Sequence, residues 1–390
     1  MSSNNETYNN KVISEGLVNI TFPEYNKVSS EAPVFYNPRM EFNRDNSILA
    51  IQSFQHFLNK EINICDLFGG SGIRGVRYKK EIDGVGNVTI NDISSLANEY
   101  SALNAKNNDV EVDISQYDAS LFLRENRGVF DVIDIDPFGT PSYFIDSAAY
   151  SIKKNGLLCL TATDTSALCG TYKSPCIRKY NAKPYKSEYC HENGVRILIS
   201  FAALTLAKYK KYVNVLMSHS SEHYMRTYLQ VKKGSKATDK SLEDNIGHIL
   251  HCKNCLHHTV VSGLTTSLPE FCPNCNSKYV ICGPLWIGDI QNKDFINEMI
   301  DISSYKELNS KNEILKLLES CYNEADAPIA FYDIHVICRN LKVSAPKLDS
   351  ILDSLKSEGY VAVRTHFKPL GVKTDADINV IKDIISRLVP

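Results

Sequence analysis

No stretch of this 390-residue sequence approaches 18 uninterrupted apolar residues, so no membrane-spanning helix is expected. Met1 to Asn10 is polar and asparagine-rich and lacks the apolar block of a secretory signal, which leaves the cytoplasm as the expected location. Positive charge is not in excess either. The 43 Lys and Arg residues face 45 Asp and Glu, a formal net charge of -2, so no global field advertises a nucleic-acid partner and any such binding must be local. Internal repeats and low-complexity tracts are missing as well, which sets repeat architectures aside. Nothing in the sequence points to an obligate protein partner. What is present is a hydrophobic fraction of 43%, ample for two or three packed domains.

Twelve cysteines are many for a cytosolic chain, and they are not evenly scattered. Cys252, Cys255, Cys272 and Cys275 form two Cys-x-x-Cys pairs separated by sixteen residues, the spacing of a four-thiolate zinc site. Such a site is closed and structural, with no open position for substrate. His248, His251, His257 and His258 crowd the same stretch, and because the thiol quartet is complete they are read as surface residues or competitors rather than ligands. Local positive charge is concentrated between Tyr172 and Tyr189, where Lys173, Arg178, Lys179, Lys183 and Lys186 face the single acid Glu188, with Tyr180 and Tyr185 interleaved. A solvated loop and an RNA-binding segment both fit that run.

The first segment, Val12 to Ile20 and onward to Pro38, alternates like strands, and Ser47 to Leu58 has helical spacing. From Ile62 short apolar runs alternate with helical stretches: strands near 62–67, 88–92, 110–114, 130–136 and 156–163, helices near 73–80, 94–107, 118–126 and 141–153. A helix at about 192–209 precedes two runs, 212–218 and 224–232, close enough to pair as an antiparallel hairpin. Five parallel units closed by a hairpin outline an α/β class I S-adenosylmethionine-dependent methyltransferase, a Rossmann-like fold. Gly234 to Glu243 reads as a linker. The tail reads as a helix over Ala327 to Leu341, a second helix capped by Ser344 and ending at Glu358, and a strand over Tyr360 to Phe367, a winged-helix-like unit. The expected domains are an N-terminal segment, 1–61, packed on the catalytic domain, a methyltransferase domain, 62–240, and a C-terminal α+β domain, 241–390, with a zinc ribbon at about 248–283.

Asp66 and the run Gly69-Gly70-Ser71-Gly72-Ile73-Arg74-Gly75 follow the first strand and open the first helix. Glycines are required where a backbone turns sharply and must let a ligand approach closely. Gly70, Gly72 and Gly75 match the spacing of nicotinamide and flavin nucleotide sites. Asp66 ahead of the turn fits S-adenosylmethionine better. Asp92, at the end of the second strand, is placed to accept both ribose hydroxyls, with Ser94 available to cap the next helix. Asp118 either contacts the adenine amine, with Ala119 supplying backbone, or caps the helix that follows it.

Phe130 to Gly139 delivers a carboxylate and an aromatic ring to the end of the fourth strand. Exocyclic base amines are poor nucleophiles because their lone pair is delocalised into the ring. A carboxylate and a carbonyl that accept hydrogen bonds from the amine favour tetrahedral geometry and take up charge as a methyl group arrives. Asp136 and the carbonyl of Pro137 are spaced for that task, and Phe138 offers a stacking face. An Asp-Pro pair is otherwise a turn element. Asp131 and Asp134 carry no assigned chemistry, although alternation puts Asp134 on the side of Asp136.

Taken together, Asn37-Pro38-Arg39-Met40 with Asn43-Arg44-Asp45, Gly70 to Arg77, Asp136-Pro137-Phe138-Gly139, Thr161 to Thr165 with Cys169-Gly170, Arg178-Lys179-Tyr180, Glu188 to Glu192 and Arg364 to Phe367 resemble the tRNA guanine-26 N2-dimethyltransferase family, in its archaeal form. The resemblance covers nearly the whole chain. It implies S-adenosylmethionine as methyl donor and tRNA as partner, with Arg44, Arg74, Asp92, Asp118 and Ala119 at the cofactor, Asp136 at the amine, and Phe35 with Phe138 around a flipped base. Lys342, Lys347, Arg364, His366 and Lys368 are candidate phosphate contacts. Three other readings remain: an adenine-N6 methyltransferase, since Asp-Pro-Phe is similar to the Asp-Pro-Pro-aromatic motif of those enzymes, a nicotinamide-dependent oxidoreductase, and a non-catalytic zinc-ribbon RNA-binding protein.

Overall fold

The computed structural model describes residues 9–25 and 32–389. Residues 1–8 of the N-terminal stretch read for a signal, and 26–31 of the Val12-to-Pro38 run, lie outside the described residues. The chain divides into two compact units, Met1–Leu160 with Asn297–Lys316, and Thr161–Ile296 with Leu317–Pro390.

In the first unit, strands β1 (Asn10–Glu15) and β2 (Val18–Pro23) pair antiparallel ahead of helix α1 (Glu41–Leu58). Strand and helix then alternate: β3 (Ile62–Asp66), α2 (Ile73–Glu81), β4 (Val85–Asn91), α3 (Ser95–Asn107), β5 (Asp113–Ser115), α4 (Ala119–Glu125), β6 (Val132–Ile135), α5 (Ile145–Ser151) and β7 (Gly156–Ala162). The five strands are parallel, in the order β5-β4-β3-β6-β7. β6 and β7 are buried along their whole length, so they read as near-continuous apolar runs rather than alternating ones. The strand order reverses beside β3, and ligands bind at such a point, outside the carboxyl ends of the strands. The carboxyl ends of β3 and β6 lie side by side there, with Leu67 N, just past β3, donating to Asp134 O of β6 at 3.1 Å. The N-terminal hairpin is tied to α3 by two asparagine side chains, Asn104 clasping the backbone of Thr21 and Asn108 that of Asn19, all four bonds at 2.8 Å. Segment 297–316 returns to α1, where Ser310 N donates to Asp45 Oδ2 at 3.0 Å.

In the second unit, α6 (Thr165–Leu168), α7 (Lys173–Tyr180) and α8 (Cys190–Ala207) lead into the antiparallel hairpin β8 (Lys211–Ser221) and β9 (Tyr224–Lys233). Arg226 of β9 donates to Thr161 Oγ1, near the end of β7, at 2.9 Å. The expected linker at Gly234 to Glu243 is instead helix α9 (Ser235–Asn245): Gly234 is its sole breaker, and Thr238 supplies a buried contact that composition does not reveal. A three-stranded ribbon follows, β10 (Ile246–His251), β11 (His258–Ser262) and β12 (Val280–Trp286), in the order β11-β10-β12. Helices α10 (Lys293–Ser303) and α11 (Lys311–Asn323) come next in the chain, with residues 297–316 of them and their connection belonging to the first unit.

The tail comprises β13 (Tyr332–Asp333), α12 (Ile334–Leu341), α13 (Leu348–Ser357), β14 (Ala362–Thr365), β15 (Lys368–Thr374) and α14 (Ile378–Leu388), with strand order β13-β15-β14. Helix, helix and antiparallel wing make it winged-helix-like. Two sequence expectations fail here. The helix expected from Ala327 starts only at Ile334, where Asp333 Oδ1 accepts from His335 N at 2.9 Å and fixes the cap. Ser344 caps nothing, because Pro346 keeps Ala345 out of helical conformation and α13 begins at Leu348. Ile337, Ile351, Leu355, Ile381 and Ile385 of the three helices share one core with Val372 of the wing.

Candidate active site

The loop after β3 is shaped by positions where a side chain has no room. Gly70 and Gly72 have φ of 56° and 77°. A Cβ on Gly72 would stand 2.8 Å from Ser101 Cα, and one on Gly70 would stand 3.0 Å from Phe35 O. The turn is held from three sides. Gly69 N donates to Asn91 O at 2.8 Å, Ser71 N to Phe35 O at 3.2 Å, and Gly70 N to Asp92 Oδ2 at 2.9 Å. Asp66 lies beneath the loop: its buried Oδ2 accepts from Gly75 N at 3.0 Å. Burial pushes its carboxyl up to about 7, with Arg74 opposing the rise and Asp134 and Asp136 adding to it.

Asp92 does not cap α3. Ser94 Oγ does, accepting from Ala97 N at 3.3 Å, while Asp92 Oδ1 accepts from Ser94 N at 2.9 Å. Asp92 therefore sits at the carboxyl end of β4 with both oxygens ordered by backbone amides. Asp118 does cap its helix, accepting from Ser120 N at 2.9 Å and Leu121 N at 3.0 Å, and it is exposed beside buried Ala119. Two residues outside the sequence reading complete this edge. Ile93 is 72% exposed next to Asp92. Buried Asn91 donates to Leu67 O at 3.3 Å and Tyr117 O at 3.2 Å, tying the ends of β3 and β5 together. A polar residue closing an otherwise apolar strand is the signal that marks Asn91.

Asp136 stands just beyond β6 with its side chain 18% exposed, and Arg74 Nη2 donates to its Oδ2. Arg74 itself is buried in a polar socket. It donates to Asn43 Oδ1 at 3.0 Å, Tyr78 Oη at 3.2 Å, Ser47 Oγ at 3.3 Å and fully buried Asp134 Oδ2 at 3.4 Å, the last also accepting from the Tyr78 hydroxyl. Asp134 thus lies on the side of Asp136, and Arg74 bridges the two. Asp131 is remote from this cluster, paired with Lys60 at 2.5 Å and Lys153 at 2.8 Å.

Pro137 is buried and Phe138 is 55% exposed. Phe35 meets Phe138 edge to face, with centroids 4.3 Å apart and planes at 77°. A planar ring enters between them only if they part. Arg44 faces elsewhere: Nε and Nη2 each donate to a Glu15 oxygen at 2.5 Å, and Nη2 also donates to Asn37 O at 3.1 Å. Burial opposes ionisation of Glu15, but Arg44 and Arg77 outweigh it and hold its carboxyl below the usual range. The structure therefore gathers Asp136, Pro137, Phe138, Phe35, Arg74 and the glycine loop in one region, with Asp92, Asp118 and Ala119 along the neighbouring strand ends. The cradle fits a nucleoside-bearing methyl donor: two glycines that exclude side chains, ordered carboxylate oxygens at a strand end and an exposed aliphatic side chain.

In the second unit the four sulfurs of Cys252, Cys255, Cys272 and Cys275 lie within 4.8 Å of one another, with Cys252–Cys275 at 3.3 Å and Cys255–Cys272 at 3.6 Å. Tetrahedral zinc with bonds of about 2.3 Å sets sulfurs about 3.8 Å apart. The two halves have the same local form. Leu256 N returns to Cys252 O at 2.9 Å and Asn276 N to Cys272 O at 2.8 Å, with Leu256 and Asn276 at φ of 70° and 53°. Four thiols clustered at this spacing are a donor set that fits zinc. The histidines are not all surface residues, since His251 is buried against the Tyr189 hydroxyl at 2.9 Å.

Two expectations for RNA contact are also corrected. His366 is buried against Glu324 and cannot reach a phosphate, because β14 and β15 turn it inward. Tyr180 and Tyr189 of the 172–189 run belong to the core and are not available to RNA. Lys173, Arg178, Lys183, Lys186, Lys342 and Lys347 are exposed. Arg364 pairs with Asp349 at 2.6 Å and Lys368 with Asp333 at 2.5 Å. No helix among the described residues is long and apolar enough to cross a membrane.

The family model described as N2,N2-dimethylguanosine tRNA methyltransferase matches residues 15–386. A curated relative from Methanobrevibacter smithii, named tRNA (guanine(26)-N(2))-dimethyltransferase, is 62% identical over 98% of this chain and 99% of its own length. The protein of the same name from Methanosphaera stadtmanae is 51% identical over 96% of each chain. Among solved structures, Trm1 from Pyrococcus horikoshii in complex with S-adenosyl-L-methionine superposes with a TM-score of 0.86 at 34% identity, covering 96% of this chain and 99% of that one. With a family model matching residues 15–386, a relative at 62% identity and a solved structure at a TM-score of 0.86, the chain belongs to the N2,N2-dimethylguanosine tRNA methyltransferase family.

Proposed function

We propose that this chain is a cytoplasmic enzyme that transfers methyl groups to the exocyclic N2 of guanosine 26 in tRNA, giving N2-methyl- and N2,N2-dimethylguanosine, without an obligate protein partner. The observation that carries the reading is the carboxylate of Asp136, presented just beyond β6 next to the Pro137 carbonyl and the exposed Phe138 ring. S-adenosylmethionine, when bound, supplies an electrophilic methyl group. Gly70, Gly72, Asp92, Asp118, Ala119 and Arg74 would hold it, with Asp66 supporting the loop from below and Arg44 bracing the N-terminal segment. Arg74 occupies Asp136 Oδ2, and we assign Oδ1 and the Pro137 carbonyl to the two amine protons. Accepting both draws the nitrogen toward tetrahedral geometry, and the Asp136 carboxylate stabilises the positive charge that develops there and takes the proton the nitrogen releases. Phe138 stacks on the base and Phe35 moves aside from it, a contact worth about 1–3 kcal/mol.

Residues 241–390 hold the tRNA body, with zinc on Cys252, Cys255, Cys272 and Cys275 stiffening the ribbon and Lys342, Lys347, Arg364 and Lys368 offered to phosphates. The test is mass spectrometry of nucleosides from unmodified tRNA incubated with the full chain and S-adenosylmethionine. N2-methylated guanosine is expected, and it should vanish when guanosine 26 is replaced. Asp136→Asn should lower turnover on the order of 100-fold or more while tRNA binding persists. Methyladenosine as product, transfer independent of position 26, or full turnover by Asp136→Asn would overturn the reading.

A further inference from the structure

We propose that Cys169, Cys190 and His191 form a second metal site, for a thiophilic divalent cation of the zinc class, separate from the cysteine quartet of the ribbon. The backbone brings the three residues together from two places. Cys169 caps the C-terminal end of α6, and Cys190 and His191 open α8. Gly170, with φ of 85°, turns the chain so closely against the segment before α8 that a Cβ there would stand 2.8 Å from Lys186 N and 2.9 Å from Tyr185 C. Close backbone approach therefore holds Gly170 against the segment that leads into α8.

One donor atom from each of the three residues lies within 4.8 Å of the other two. A tetrahedral ion with bonds of about 2.3 Å to sulfur and 2.0 Å to nitrogen sets such atoms roughly 3.5–3.8 Å apart, so the trio closes on a cation by side-chain movement of about an ångström. Two thiolates and an imidazole select zinc-class ions over the hard cations magnesium and calcium. Cys169 is buried, Cys190 half-buried and His191 exposed, so the site opens at its rim and keeps a fourth position for water or an outside ligand. Three protein ligands with an open position contrast with the closed quartet. The other mixed trio, Cys321, Glu324 and His366, is a different case: its imidazole and carboxylate are buried and already paired with each other.

The probe is zinc chloride with the full-length, reduced chain, and the readout is zinc per chain by elemental mass spectrometry after removal of free metal. Two zinc ions per chain are expected, falling to one in the Cys169→Ser/Cys190→Ser double variant. A weak chelator should remove one ion first, and N-ethylmaleimide should then label Cys169 and Cys190 while the quartet stays protected. That labelling needs only the unaltered chain, so it decides the question even if the double variant fails to fold. One zinc per chain with Cys169 and Cys190 labelled in its presence would overturn the site, as would a second zinc that survives the double substitution.

Discussion

Replacing Glu192 by glutamine tests the buried charge network of the second unit. Glu192 lies on α8 with no exposure, and its Oε1 accepts from Lys373 Nζ at 2.9 Å, Arg196 Nε at 2.9 Å and Ala330 N at 3.1 Å. It thereby ties α8 to the wing strand β15 and to the segment before β13. Glu192→Gln keeps the shape and removes the charge, leaving the buried Lys373 ammonium with neutral acceptors such as the Pro328 carbonyl at 3.3 Å, while Glu324, the neighbouring carboxylate, is already engaged by His366. Removing one partner of such a pair costs about 3–5 kcal/mol, most of it the penalty of an uncompensated charge. Arg196 is less affected, because Trp286 O at 3.1 Å and Gly288 O at 2.8 Å also accept from it. Glu192→Gln/Lys373→Met should therefore recover to within about 2 kcal/mol of the natural chain.

The chain has a single tryptophan, Trp286, buried beside Arg196, so urea unfolding followed by its fluorescence reports on this unit directly. The pH dependence is signed. Burial opposes ionisation of Glu192, yet Lys373 and Arg196 outweigh it and bring its carboxyl from 4.5 to about 2. A carboxylate depressed in the folded state stabilises above its unfolded value and loses that contribution as pH falls through the folded one, here roughly 3 kcal/mol between about pH 4.5 and 2. A loss below about 1 kcal/mol for Glu192→Gln, or a double variant no more stable than the single, would refute the argument.

Other substitutions probe the remaining elements. Gly72→Ala should abolish detectable S-adenosylhomocysteine binding in calorimetry and cost about 1–3 kcal/mol, because φ of 77° and Ser101 Cα at 2.8 Å both resist a Cβ. Unchanged affinity would show that the loop has room to spare. Asn91→Leu keeps the volume but removes both ties to Leu67 and Tyr117, and should weaken cofactor binding severalfold with little change in tRNA affinity. Cys275→Ser should release the zinc proposed for the quartet and make residues 246–286 susceptible to limited proteolysis, and an unchanged zinc content would remove Cys275 from the ligand set.

Much of the first unit is legible in sequence because its strands are buried on both faces and its loops carry glycine at positions of positive φ. The strands expected near 62–67, 130–136 and 156–163 are found at Ile62–Asp66, Val132–Ile135 and Gly156–Ala162. The strand expected over 110–114 shrinks to Asp113–Ser115, an edge strand with little buried apolar surface to announce it. The tail is less legible. Pro346 delays α13, the short strand β13 takes residues that read as helix, and α14 extends past the last element that periodicity picked out. Helix α9 hides in a polar run because only one of its residues, Thr238, is buried.

The sequence by itself determined the chemistry on offer. The Asp136-Pro137-Phe138 strand end, the glycine turn, Asp92 and the two Cys-x-x-Cys pairs are local, and each residue type announces its use through spacing. Only the tertiary structure decided which side chains are already engaged. Arg44 is spent on Glu15, 29 residues earlier in the chain, while Arg74 joins Asp136 to Asp134. His366 is drawn inward by Glu324, and Cys169 is set beside Cys190 and His191. The physical reason is that ion pairing, burial and ligand clustering depend on distances across the fold, and linear spacing fixes those distances only within one turn or one strand.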